Sequence, residues 1–231
     1  MKKQRQVAHD ILVFGRGSDS DHHGGRVISE MAQLRVDAVR RYIQASKNNN
    51  TDSFRVLFSA GWAANTGMRK PEPEYREANL MLQYAETIGI TKMANVTTDV
   101  QIESMSTVQD ALLAVKSGFF GGRPFSYSQD NPLGIVAQAD PVLPNNPRSG
   151  HMARCLDATS RTFRIPMDAL LPIIADGSDV PESGLTERQA RIITKILFSG
   201  AYFDFDILLR NKLFMTSTYV IQKSRQLLDE L

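Results

Sequence analysis

Four short segments of this chain carry residues able to bind or turn over a small molecule. They are Gly15-Arg16-Gly17, Ser59-Ala60-Gly61, the run from Glu103 to Thr107, and the helix-opening stretch from His151 to Arg154. Gly15 and Gly17 let backbone N–H groups approach an anion without side-chain obstruction, although a plain turn uses the same residues. Ser59 and Gly61 carry the same two readings. In the third segment Ser106 and Gln109 have the spacing of a helix capping box, which gives one hydroxyl a structural role. Ser104 and Thr107 are not needed for that role. The helix N-terminus they surround presents unpaired N–H groups and partial positive charge, suited to phosphate or carboxylate. Glu103 suits the opposite task, gripping a hydroxyl or an amine. His151 can serve as acid, base or phosphate donor. Arg154, one turn on, is either an anion clamp or half of a surface ion pair.

Other chemistries find less support. The helix after Gly17 begins too late for a GxGxxG strand-to-helix fingerprint, and the chain has no Walker loop, GxSxG elbow or CxxC pair. Residues 18–23, SDSDHH, set two carboxylates beside two imidazoles, but adjacent loop residues rarely complete a metal site, and no metal is assigned. Cys155 has the spacing of a buried helix position rather than a nucleophile.

The elements that must position these segments alternate between strand and helix. Ile11-Leu12-Val13-Phe14 reads as a buried strand closed by the glycine loop. From Arg26 the apolar period changes, with Val27, Met31, Leu34, Ala38 and Tyr42 on one helical face. A second strand at Val56-Leu57-Phe58 runs into Ser59. A helix beginning near Pro73 buries Ala78, Met81, Ala85 and Ile88 and ends at Gly89. Asn95 to Glu103 reads as the third strand, and Val108, Ala111, Leu112 and Val115 as the buried stripe of the next helix. Leu133 to Ala137 is the fourth strand, followed by a helix carrying Met152, Leu156, Thr159 and Phe163. IPMDALLPIIADG holds either a last short strand or an irregular connection. Thr186 and Gln189 have capping-box spacing, and helical patterning continues to Leu231.

Parallel strands need such crossover helices. The pattern therefore predicts a three-layer α/β/α, Rossmann-like, mostly parallel sheet with extra C-terminal helices. Residues 1–231 read as one domain, with 186–231 a helical C-terminal portion able to support a homo-oligomer. In such sheets ligands bind beyond the strands' carboxyl ends, where all four polar segments fall.

Composition narrows the partners. Lys and Arg number 27 against 25 Asp and Glu, which gives no broad basic footprint for nucleic acid. A single cysteine fits a reducing compartment. No stretch approaches the roughly 18 apolar residues of a membrane span, and ILVF breaks too early at GRG for a secretory signal. A cytoplasmic protein with a small-molecule ligand is the expectation.

Taken together and in this order, these residues resemble the YdcF-like family. Its pattern opens with a glycine-bearing loop, here Gly15 and Gly17, and an arginine in the next helix, here Arg26 or Arg35. An SGG motif follows, matched by Ser59-Ala60-Gly61, and then a glutamate–alanine pair, matched by Glu77-Ala78. Ser104, Thr107 and Ala111 fit a serine–threonine–asparagine motif, and His151 with Arg154 fits a His-x-x-Arg segment. The match spans about residues 11–163. Two positions depart from it. The family's glutamate falls on Gln101, with Glu103 on the same strand face as a stand-in, and its asparagine falls on Asp110, which adds negative charge.

The resemblance implies a polar pocket at the strands' C-terminal edge for a nucleotide-like or phosphorylated ligand, with S-adenosylmethionine a candidate. Glu77, Glu103 and His151 become the acid–base groups. Gly15, Arg16, Gly17, Arg26, Ser59, Gly61, Ser104, Thr107, Asp110 and Arg154 become the ligand contacts. The reaction, group transfer or hydrolysis, stays open. A non-catalytic module that senses a ligand or docks a protein is the alternative.

Overall fold

A computed structural model describes residues 6–15, 18–20, 26–46, 52–62, 70–138, 150–175, 226 and 229–230. Five parallel strands form the main sheet: β1 (Asp10–Phe14), β4 (Phe54–Ser59), β5 (Val96–Gln101), β6 (Leu133–Gln138) and β7 (Leu170–Ala175). Their spatial order is β5-β4-β1-β6-β7. A separate antiparallel hairpin joins β2 (Ser18–Ser20) to β3 (Arg26–Ile28). The helices are α1 (Glu30–Ser46), α2 (Glu77–Thr87), α3 (Thr107–Ser117) and α4 (Gly150–Phe163). This is the Rossmann-like α/β/α fold that the alternating pattern predicts.

Side-chain alternation along β1 divides the core between the two faces. Leu12 and Phe14 face α3 and α4, where they meet Leu112, Met152, Leu156 and Phe163. Ile11 and Val13 face α1 and α2, against Val36, Val39, Ile43 and Met81. Each such side chain, fully removed from water, stabilises the fold by about 1.5–3 kcal/mol. A one-residue slip of β1 would send both pairs to the wrong face. Cys155 is buried among them as expected. The IPMDALLPIIADG stretch resolves as strand β7, paired in parallel with β6.

Three elements differ from the sequence reading: Pro73 opens only a 3-10 turn, Pro73–Tyr75, and the helix expected there, α2, begins at Glu77. The helix expected from Arg26 starts at Glu30, and Arg26–Ile28 is instead a hairpin strand with Val27 exposed at 39%. The buried face of α1 runs through Ala32, Arg35, Val36, Val39 and Ile43. A charged residue in the middle of that stripe hid its phase. The third strand stops at Gln101 rather than Glu103. Thr186, Gln189 and the expected C-terminal helices lie outside the described residues, apart from isolated positions at the end. There Lys116 forms an ion pair with Glu230. Among the described residues no helix is long and apolar enough to cross a membrane.

The N-terminal edge of the sheet is held by a polar cluster remote from the strands' carboxyl ends. Arg55 grips Asp10 with Nε and Nη2 at 2.7 and 2.5 Å, and the Tyr127 hydroxyl donates to the same carboxylate at 2.6 Å. Burial, then the bond to Asp10 and its charge, push the Tyr127 phenol well above its ordinary range, with Arg55 opposing. Tyr127→Phe is expected to lower stability by about 1.5 kcal/mol, the low end for a bond to a charged group. The fold favours the neutral phenol. Its contribution is therefore complete below pH 10.0, the ordinary tyrosine value, and is lost as the pH rises beyond it. Urea unfolding of both proteins from neutral to alkaline pH checks this. Identical curves for the two would contradict it.

Candidate functional site

The order of the strands locates the site. From β1 the chain steps outward to β4 and β5, then crosses back to β6 on the other side of β1. The crevice between the carboxyl ends of β1 and β6 is thus the topological switch point, where open α/β sheets bind ligands. Helices that return antiparallel to the strands bring the first turns of α2, α3 and α4 to this same edge.

Arg35 closes the floor of the crevice. Reaching from α1, its Nη1 donates to the carbonyl oxygens of Phe14 and Gly15, and its Nε donates to Gln138 Oε1 at the end of β6. Gln138 in turn donates to the Met31 carbonyl at 2.7 Å. The guanidinium is completely removed from solvent, at 0% exposure. Burying a charge this way is expensive without opposite charge nearby.

Acidic side chains of α2 and α3 are buried at the same edge. Glu77, 6% exposed, opens α2; its N–H donates to the Gly61 carbonyl and that of Ala78 to the Ala60 carbonyl, at 3.1 and 3.2 Å. Its carboxylate lies against Gly15: a Cβ there would sit 2.6 Å from Glu77 Oε2 and 2.4 Å from Ala60 Cβ. The glycine makes room for a carboxylate, a neighbour unsuited to an anion at that point.

Asp110, also 6% exposed, lies in the first turn of α3. Burial pushes its carboxyl well above the usual carboxylate range. The Ser104 hydroxyl opposes that shift, the Glu77 charge adds to it, and the Arg35 charge opposes it. The charges of Glu77 and Arg35 thus act on Asp110 in opposite directions.

The surrounding motif residues hold this arrangement together. The Ser59 hydroxyl is within reach of the Asp110 carbonyl at 2.8 Å and Gln101 Oε1 at 3.1 Å, so it ties β4 to β5 and α3. A Cβ on Gly61 would fall 2.0 Å from the Ser104 carbonyl oxygen, so only glycine lets these two loops meet. Ser106 caps α3 by accepting from the Gln109 N–H. Gln109 Oε1 reaches back to the Met105 N–H, one residue before the cap itself. Thr107 opens the helix and is partly buried.

Glu103 does not stand in for Gln101. The strand ends first, so their shared face is lost: Gln101 is buried and Glu103 is exposed. Burial raises the Glu103 carboxyl, but hydrogen bonds from Lys70 and Arg76, with their charges, hold it below the ordinary value. Lys70 Nζ is 2.8 Å away, and buried Arg76 pairs with the other oxygen. Both cations lie over the Trp62 ring, at 5.1 and 5.6 Å from its centre. Glu103 is committed to an ion-pair network and is a poor proton acceptor at neutral pH.

His151 and Arg154 share the first turns of α4. Arg154 Nη2 lies 2.8 Å from His151 Nδ1. Because a guanidinium keeps its protons, that nitrogen accepts and the imidazole proton sits on Nε2. His151 is 5% exposed. Burial lowers the Arg154 guanidinium from its ordinary value.

Of the two arginines that the resemblance offered, Arg35 reaches the switch point, whereas Arg26 Nη1 donates to Ser18 Oγ within the hairpin. Arg16 and Gly17 lie outside the described residues, as do Asp21, His22 and His23. Sequence reasoning missed Gln138, and met Arg35 only as an alternative. The available signals were a polar end to an apolar strand and a charge on an apolar helical stripe. No protein-family model, curated protein or solved structure matches this chain.

Proposed function

We propose that this chain is a YdcF-like protein that binds a nucleotide-like or phosphorylated small molecule at the C-terminal edge of its sheet, with S-adenosylmethionine among the candidates. The observation that carries the reading is the buried set of Arg35, Glu77 and Asp110 at the switch point. Three buried ionisable groups from three helices are costly there, and a carboxyl raised as Asp110 is belongs to a class of group that concentrates at functional sites. The set also divides the ligand's contacts by charge. Hydroxyl or amine donors suit the carboxylate side, and an anionic group suits the first turn of α4 with Arg154. Glu77 and His151 are the groups placed to move a proton if the ligand is turned over by transfer or hydrolysis.

Thermal unfolding against S-adenosylmethionine, nucleotides and phosphorylated metabolites tests the ligand class. A compound at 100 times its dissociation constant adds about 2.7 kcal/mol to stability. The expected result is one compound that stabilises wild type but neither Ser104→Ala nor His151→Ala. A panel that leaves wild type unmoved would remove this ligand class.

A further inference from the structure

A second cluster, at the same edge of the sheet, sets two cations over an aromatic ring. Trp62 follows β4, and its N–H donates to the Ser104 carbonyl at 3.1 Å. Arg76 and Lys70 both lie over the indole, at 5.6 and 5.1 Å from its centre. One carboxylate bridges them: a Glu103 oxygen pairs with Arg76 Nη1, and the other lies 2.8 Å from Lys70 Nζ. The two cations therefore already hold an anion, one oxygen each. Arg76 is fixed without it. Its side chain is 6% exposed, and Nε donates to the Pro71 carbonyl at 3.2 Å. Glu103 is the loose member. Its side chain is 52% exposed, and it sits in the connection between Gln101 at the end of β5 and Thr107 at the start of α3. An exposed ion pair adds at most about fivefold to an equilibrium constant, about 1 kcal/mol. A better anion can take the place of this carboxylate at that small cost.

We propose that Arg76 and Lys70, held over Trp62, form a seat for a phosphate group, and that Glu103 is the internal anion that fills it until phosphate arrives. Two cations outnumber the single carboxylate between them, and residues 63–69, which join Trp62 to Lys70, contain no Asp or Glu. A phosphate monoester, with about −1.5 to −2 charges near pH 7, matches that pair better than a carboxylate does. Its oxygens can take over both contacts that Glu103 makes, and the planar guanidinium suits it. Because Arg76 stays bound to the Pro71 carbonyl, the seat needs no rebuilding when Glu103 swings into water. The seat gives a ligand's phosphate a place beyond β4 and β5, a use that rests on the proposed binding reading.

Trp62 is the only tryptophan of the chain, so its indole N–H gives a single NMR signal in nitrogen-labelled protein. Inorganic phosphate is titrated against that signal, with chloride of equal ionic strength as the blank. In wild type the signal is expected to move saturably with phosphate and not with chloride. Glu103→Gln should reach half-saturation at about fivefold less phosphate, because the internal anion no longer competes. Lys70→Met, added to Glu103→Gln, should lose that gain. A signal that phosphate leaves unmoved, or moves no more than chloride does, overturns the seat. So does a half-saturation unchanged by Glu103→Gln, the result of a merely structural ion pair. Adenosine monophosphate and glycerol phosphate, run alongside, distinguish a nucleotide from a simple ester as the source of the group. Phosphate alone probes the seat, so the ligand panel can fail while the seat stands, and the reverse.

Discussion

Arg35→Met lowers the stability of the protein by about 3–5 kcal/mol, the usual consequence of removing one partner from a buried charge set. The methionine fills most of the volume but leaves Gln138 Oε1 and the carbonyls of Phe14 and Gly15 without their donor. It also removes the positive charge that Arg35 exerts on Asp110. Each stranded buried acceptor adds a desolvation penalty of about 1–3 kcal/mol. Arg35→Lys restores only part of the loss, because one ammonium cannot reproduce a planar fork that serves β1 and β6 together. Urea unfolding of the three proteins gives the comparison. An Arg35→Met protein within about 1 kcal/mol of wild type would mean that the set is not what joins the two strands.

Gly61→Ala is expected to be the most damaging single-methyl addition in the described fold. The new Cβ would sit 2.0 Å from the Ser104 carbonyl oxygen and 2.8 Å from both the Ile102 carbonyl oxygen and the Ser104 nitrogen. All three are backbone atoms, so no side chain can swing away. The loops after β4 and β5 must separate instead. Overpacking of this kind costs about 1–3 kcal/mol. The same movement would break the Trp62 N–H bond to the Ser104 carbonyl and displace Ser104 from Asp110. Gly122→Ala is the control, since nothing lies within 4 Å of its added Cβ. Thermal unfolding of both variants should show a large loss for Gly61→Ala and almost none for Gly122→Ala. Equal losses would contradict the close approach.

The architecture was readable because its signals are periodic. The buried faces of α2, α3 and α4 hold most of the predicted residues, from Ala78 and Met81 to Leu156 and Phe163, while Ile88 and Val115 are only partly buried. The Ser106–Gln109 cap was legible as a local hydrogen-bonding pattern and appears with its return bond moved by one residue. What failed depended on long-range packing. Arg35 breaks the apolar stripe of α1 because its partners come from residues 14, 15 and 138. The strand-face argument for Glu103 assumed two more residues of β5 than exist. Ser59, Gly61 and Gly15 were visible as unusual residues. Their neighbours were not: Gly61 admits the backbone of Ile102 and Ser104, and Gly15 the Glu77 carboxylate. Asp110 carries the clearest perturbation of the set, yet in sequence it is only one polar residue near a helix start.

The central claim is that ligand binds at the carboxyl ends of the strands, and hydrogen–deuterium exchange tests it most directly. The measurement compares wild type alone with wild type saturated by the compound that stabilises it most. The account requires slower exchange after β1, across residues 102–110 and in the first turns of α2 and α4, with the Asp10–Arg55–Tyr127 end unchanged. Protection confined to that opposite end, or to the groove where Tyr42 and Ala45 of α1 meet Leu171 and Ile174 of β7, would contradict it.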